Sequence, residues 1–364
     1  MISRLLQHAF KHIDAFLMVC LFFTLLVSLF VLYSASGQSL DRMYAQGINI
    51  LVALTALWGV SNIPPHQLER FALPIYALGV VMLIGVALFG HISHGARRWL
   101  DIGPMHIQPS ELMRLAVPMT LAWYFSQREG RPKTRDFVVG GLFLVIPVVM
   151  IMKQPDLGTA LLISASGFYI LFLAGLSWKF LIGGTAFLGA MMPVFWTLLH
   201  DYQRRRIEIL FDPTQDPLGA GYHTIQAMIA IGSGGLAGKG WLNGTQTQLD
   251  FLPERTTDFI FAVFSEEFGF LGNILLLVLF SLIISRGLMI ASQAQSTFSR
   301  LLAGSITLTF FTYAFVNMGM VSGILPVVGV PLPFISYGGT SMVTLCMGFG
   351  ILMSIQTHKK LMAT

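Results

Sequence analysis

The chain has 364 residues, and 39 of them are charged at neutral pH: 22 Lys and Arg against 17 Asp and Glu. That 11% charge, set against a 55% hydrophobic content, is far below the roughly 25% of a soluble chain. It excludes a soluble multidomain enzyme, a disordered or collagen-like chain and a small disulfide-stapled scaffold.

The first apolar run, 15–40, follows Arg4 and Lys11 and passes Ser34, Ala35 and Ser36. It is longer than a signal-peptide core, so a retained first span is expected. Further charge-free runs cover 43–68, 71–96, 137–152, 157–178, 180–200, 268–285 and 301–358. They are continuously apolar, which indicates helices and not an alternating barrel. About ten spans are expected, near 14–35, 44–62, 71–90, 111–127, 137–152, 158–174, 179–199, 259–285, 301–322 and 336–356. The fold class is an all-α polytopic membrane protein. The fourth span is the most polar, opening with Glu111 and Arg114 and containing Pro118. Cys20 and Cys346 lie inside apolar runs and read as packing residues.

Lys and Arg are concentrated in the connections that share a side with both termini. The positive-inside bias therefore places the N- and C-termini in the cytoplasm. A 59-residue segment, 200–258, then forms a large extracytoplasmic loop between the seventh and eighth spans. It carries seven acidic residues, five basic ones and eight glycines. Within it, His223–Leu236 is amphipathic enough for a short interfacial helix or re-entrant piece.

Charges beside a bilayer are costly, so each is a functional candidate. Four clusters stand out. The first is Arg97 and Arg98 with Glu111 and Arg114. It reads as a structural ion pair or as a phosphate-gripping group. The second is Lys153 with Asp156, on either side of Pro155. Asp156 reads as a helix cap or as part of a site, and Lys153 could neutralise an anion. The third is Arg204, Arg205 and Arg206 with Asp201, His223 and Gln226. It suits headgroup anchoring or a pyrophosphate. The fourth runs from Asp250 to Glu267. There Asp258 is the last polar residue before an apolar helix, which Thr257 or Asp258 is expected to cap. A half-desolvated carboxylate there also suits a general base or a metal ligand. Glu266 and Glu267 lie deeper and need partners. No P-loop, zinc-protease, nucleophile-elbow or dinucleotide motif appears in a credible context.

The combination of Gln154-Pro-Asp-Leu-Gly-Thr159, Gly238-Lys-Gly-Trp241, Phe251-Leu-Pro-Glu254, Thr257-Asp-Phe-Ile-Phe261 and Pro331-Leu-Pro-Phe-Ile-Ser-Tyr-Gly-Gly339 resembles the SEDS family. These are the shape, elongation, division and sporulation proteins. The stretch 238–255 is more similar to the rod-shape branch than to the division branch. The resemblance covers nearly the whole chain and implies one transmembrane domain, 1–364, with the loop 200–258 inside it. It implies a peptidoglycan glycosyltransferase that polymerises lipid II at the outer face of the bacterial cytoplasmic membrane. A class B penicillin-binding protein is the implied partner. Other elongation-complex proteins are compatible with the resemblance, and nucleic acid is not. The family's essential aspartate maps onto Asp258, and further functional positions map onto Arg98, Glu111, Arg114, Asp156 and Arg206. The family often has His before the Thr-Asp pair, where this chain has Thr256.

An α-linked sugar diphosphate that becomes a β-linked product implies inversion, with one displacement and one base. Asp258 is expected to take the acceptor proton or to hold a divalent cation, Mg or Mn. Arg98 and Arg206, with Lys153 or Lys239, would offset charge on the leaving diphosphate. Two other classes stay open from the residues themselves: a lipid II flippase, and a non-catalytic scaffold that activates a penicillin-binding protein. The candidate charges gather on the outer side, which favours surface chemistry over a path through the membrane.

Overall fold

The computed structural model describes residues 11–358, apart from 94–95, 103–104, 129, 199–203, 206–207, 211, 213–219, 249–251 and 253. The described chain is predominantly helical. Seven helices are long and apolar enough to cross a membrane.

Helix α1 (Ala15–Ala35) opens on Asp14, whose side chain accepts a hydrogen bond from the amide of Leu17. One face buries Leu17, Leu21 and Leu32, while Phe22, Phe23 and Phe30 point outward. That outward apolar face suits hydrocarbon as its solvent. Helices α2 (Leu40–Ser61) and α3 (Pro65–Phe89) follow, α3 with proline in its first turn, where a missing amide costs nothing. Residues 91–107 then depart from the all-helical expectation. They form three short antiparallel strands, β1 (His91–Ser93), β2 (Ala96–Ile102) and β3 (Met105–Ile107), in the order β1-β2-β3. Trp99 pairs with His91 and Leu100 with Ile107. The segment begins at the end of the 71–96 run, after α3 has closed at Gly90, and a ribbon satisfies its backbone where no further span is available.

Helices α4 (Pro109–Ser126), α5 (Thr134–Met152) and α6 (Leu157–Leu173) come next. Helix α4 is the fourth apolar segment of the sequence. It is largely buried among its neighbours, which is how its charges and proline are sheltered from lipid. The seventh segment is not one helix but two, α7 (Trp178–Ala190) and α8 (Met192–Leu198), broken around Met191 and Pro193. The long loop contains α9 (Ala220–Ser233), overlapping the stretch 223–236 where an interfacial helix is expected, and the single turn α10 (Thr245–Gln248).

Three helices complete the chain: α11 (Ile260–Ser292), α12 (Thr297–Val321) and α13 (Thr340–Thr357). Helix α12 is central, buried on most of its surface, and touches α4, α6, α11 and α13. Helix α13 lies along α2, and α4 along α3. Arg286 of α11 pairs with Asp14 at 2.5 Å and ties α11 to the start of α1.

Candidate functional site

The Asp258 segment is a turn fixed by its backbone. The amides of Thr257 and Phe259 donate to the carbonyl of Glu254 at 3.1 and 3.2 Å. Three successive carbonyls are then taken by other parts of the chain. The amide of Tyr337 donates to Thr256 O at 2.9 Å. The hydroxyl of Ser336 donates to Thr257 O at 2.6 Å. The side-chain amide of Asn317, on α12, donates to Asp258 O at 2.8 Å and to Val330 O at 2.7 Å. The turn therefore cannot shift without breaking bonds to α12 and to the segment 330–337. The expected cap is not found. Phe259 occupies the cap position of α11 and no side chain caps the helix. The Asp258 side chain is half-buried, and its Oδ2 faces the Cα of Gly329, where an added Cβ would lie 3.4 Å away.

The strap 328–330 joins this turn to a second cluster. A Cβ on Gly158 would lie 2.8 Å from Val328 O and 3.2 Å from Gly329 O. Only glycine lets the strap approach α6 this closely. Two residues earlier, Asp156 caps α6 by accepting from the amide of Thr159 at 3.1 Å, and also accepts from Gln108 at 3.3 Å. Arg98, on β2, donates to the carbonyls of Gln154 and Pro155. Arg114 donates to Glu111 Oε2 at 2.8 Å, to Thr159 Oγ1 at 3.0 Å and to Ser341 Oγ at 3.3 Å. Ser341 in turn donates to Glu111 Oε1 at 3.1 Å. The guanidinium also stands 5.5 Å from the ring of Tyr313. Both charged side chains of this pair are 9% exposed. A buried pair is costly unless its other donors and acceptors are used. Here Thr159 and Ser341 take most of them and the Tyr313 ring adds a contact. Arg114 Nε is left without a hydrogen-bond partner among the described residues.

Arg98, Glu111, Arg114 and Asp156 are therefore one network, separated from Asp258 by the glycine strap. Lys153 is exposed at the end of α5. Lys239 lies elsewhere, with its ammonium 2.8 Å from Glu266. Arg206 lies outside the described residues, as do Asp201 and Asp250. The side chain of Arg97 is likewise not described. His223 stacks against Phe259, with ring centroids 5.9 Å apart. Burial pushes its pKa below the ordinary histidine value, against an opposing pull from Glu254.

Sequence reasoning missed several members. Arg42 of α2 donates to Thr256 Oγ1 at 3.4 Å. Asn317, Ser336 and Ser341 hold the two halves together. For Asn317 the available signal is a polar side chain inside an apolar run. Among the described residues, no three His, Cys, Asp or Glu side chains gather as a metal site. A divalent ion held by the Asp258 carboxylate would need phosphate oxygens and water for the rest of its ligands, an arrangement Mg²⁺ commonly accepts.

A groove of about 700 Å³ runs between α1 and α11. Phe23, Val27, Trp241, Phe268, Leu275 and Leu279 are among its lining residues.

A family model described as "Cell cycle protein", that of FtsW, RodA and SpoVE, matches residues 12–361. The peptidoglycan glycosyltransferase MrdB of Escherichia coli (strain K12) is 48% identical over 353 residues, 97% of this chain and 95% of MrdB. The probable peptidoglycan glycosyltransferase FtsW of Geobacter metallireducens is 33% identical, covering 96% of this chain and 97% of its own. Two solved structures are also similar. One, from work on the structural coordination of polymerization and crosslinking by a peptidoglycan synthase complex, has a TM-score of 0.83 at 28% identity and covers 95% of this chain and 99% of the other. The rod shape determining protein RodA of Thermus thermophilus has a TM-score of 0.71 at 25% identity and covers 95% and 98%.

Proposed function

The chain belongs to the FtsW/RodA/SpoVE family, and from that premise we propose that it is a peptidoglycan glycosyltransferase of cell-wall elongation. It polymerises lipid II into glycan strands. It is a multi-pass protein of the bacterial inner membrane. The whole chain, 1–364, acts as one transmembrane domain of about ten spans, with both termini cytoplasmic. The loop 200–258 and the catalytic side face outward. The partner is a class B penicillin-binding protein, which crosslinks the strands. The likeness to a chain from a synthase complex that coordinates polymerization and crosslinking supports that pairing.

Asp258 is the general base. The observation that carries this reading is the turn 254–259, whose carbonyls at 256, 257 and 258 are all held by Tyr337, Ser336 and Asn317. A base must be held in place before the substrate arrives. Its carboxylate takes the proton from the acceptor sugar 4-hydroxyl as that oxygen displaces the diphosphate. The configuration inverts in one step, so a second carboxylate nucleophile is not required. Arg98, Lys153 and Arg206 supply positive charge to the substrate side, and Glu111, Arg114 and Asp156 keep that side ordered. Lys239 belongs to the interior support of the loop. A divalent ion, if bound at Asp258, would lower the charge of the diphosphate.

The test is lipid II polymerisation by purified full-length chain with its partner. Asp258→Asn should remove the activity while the protein stays folded and partner-bound. Near-normal polymer from that variant would overturn the assignment. Movement of lipid II across vesicles without polymer would identify a flippase instead.

A further inference from the structure

Helix α11 is not continuous. Gly269 has φ 63° and ψ −162°, which breaks the helix into two halves. A break leaves carbonyls and amides without helical partners. Here the segment 234–240 supplies them. The amides of Lys239 and Gly240 donate to the carbonyls of Glu266 and Glu267, each at 3.0 Å. The amides of Phe270 and Leu271 donate to Gly235 O at 2.9 Å and Leu236 O at 3.0 Å. The approach leaves no room for side chains: a Cβ on Gly269 would lie 2.2 Å from Gly238 N.

Inside this junction the Glu266 carboxylate is fully buried. Its Oε1 accepts from Lys239 Nζ at 2.8 Å, Thr245 Oγ1 at 3.1 Å and the Gln246 amide at 3.0 Å. Its Oε2 accepts from Thr247 Oγ1 at 3.3 Å. The carbonyl of Thr247 then accepts from Arg255, three residues before Asp258. A ring closes. From Asp258 the first half of α11 leads to Glu266, Glu266 holds 245–247, and Thr247 holds Arg255 beside the Asp258 turn.

We propose that Glu266, with Lys239, is the positioning pair for Asp258. The inference rests on the reading of Asp258 as the base. Glu266 is about 12 Å along the helix from Asp258, so it acts through the ring and not on the substrate. An ionised carboxylate is needed because two oxygens take four donors. Glutamine has one acceptor oxygen and would turn an NH₂ group toward donors that need an acceptor. Tying Arg255 to Glu266 through Thr247 fixes the direction in which the Asp258 carboxylate points, and small displacements of a catalytic group cost rate steeply.

The experiment uses full-length chain with its partner and measures polymerisation against lipid II concentration. Glu266→Gln and Lys239→Met should lower kcat about 10- to 100-fold, with KM held within about twofold. Lys239→Arg should recover most of what Lys239→Met loses. The double variant should be no worse than the poorer single, because the two residues act as one unit. Amide exchange across 254–259 should speed up in Glu266→Gln at temperatures well below unfolding. If a single variant does not fold, the double variant, which leaves no lone buried charge, decides by its kcat. Unchanged kcat in Glu266→Gln, or in the double variant where the singles do not fold, overturns the proposal. So does a loss matched by the unfolded fraction with exchange across 254–259 unaltered. Wild-type chain that makes no polymer, or an active Asp258→Asn, overturns the underlying reading instead.

Discussion

Asp258 and Glu266 lie eight residues apart, one just before α11 and one two turns into it, and they are treated oppositely. At Asp258 the backbone is held and the side chain is half-buried. Its three neighbouring carbonyls are spoken for by Asn317, Ser336 and Tyr337. At Glu266 the side chain itself is the anchor, fully buried and accepting from four donors. Glu111 resembles Glu266, with Arg114 and Ser341 taking both of its oxygens. The lesson is that an acid near a membrane has two stable solutions. It can be enclosed and saturated through its own side chain, or it can sit half-buried on a turn whose main chain is held from behind.

This contrast can be broken by substitution. The largest effect is expected at Asp258. Asp258→Asn should lower polymerisation by about 100- to 10,000-fold with little change in thermal unfolding, the range of a lost general base. A comparable loss of stability would place Asp258 with the enclosed acids. Glu111→Gln should do the reverse. It leaves Arg114 charged and buried, and a broken buried pair costs about 3–5 kcal/mol. Unfolding in a detergent or nanodisc measures it, and an unchanged midpoint would mean that the pair is not holding α4, α6 and α13 together. Asn317→Ala should be smaller, about 1–3 kcal/mol, since it leaves two inward carbonyls to find other donors. It should also lower kcat, and Asn317→Asp, which sets an acceptor-only carboxylate against the same two carbonyls, should cost more in both measures. An unchanged midpoint and kcat in both variants would show that Asn317 does not hold the turn.

The smallest effect is at His223. Its folded pKa is lowered, so the native chain binds fewer protons than the unfolded chain at mildly acid pH. Stability from this group is fully present above about pH 6.5, the unfolded value, and is lost as pH falls toward the folded value. Replacing His223 with Gln should flatten the acid side of the stability curve. A curve unchanged by the substitution would show that the ring against Phe259 does not resist protonation.

Much of the fold could be read from local pattern. Each apolar run of about 20 residues became helical, because a chain with so few charges has no other way to satisfy its backbone in hydrocarbon. The spacing of Glu111 and Arg114 placed them on one face, and Asp156 stood where a helix begins after Pro155. Local pattern failed where a run was short or irregular. The segment 91–107 gives a three-stranded ribbon, and 179–199 divides into α7 and α8, each too short to be read as a full span. Several site members were also illegible. Asn317 lies 59 residues from Asp258, and Gly329 meets both Asp258 and Gly158 through a strap that has no periodicity.

Composition, periodicity and motif therefore determined that this chain is a helical membrane protein, which family it resembles and which acid deserves the first test. Tertiary structure alone decided how each acid is held. Burial and partners come from helices far apart in the chain, so no local window reports them. Asp258 and Glu266 are both acids near the start of one apolar helix, and only the packing of α12, the glycine strap and the segment 234–247 makes one a half-buried carboxylate on a held turn and the other an interior anchor.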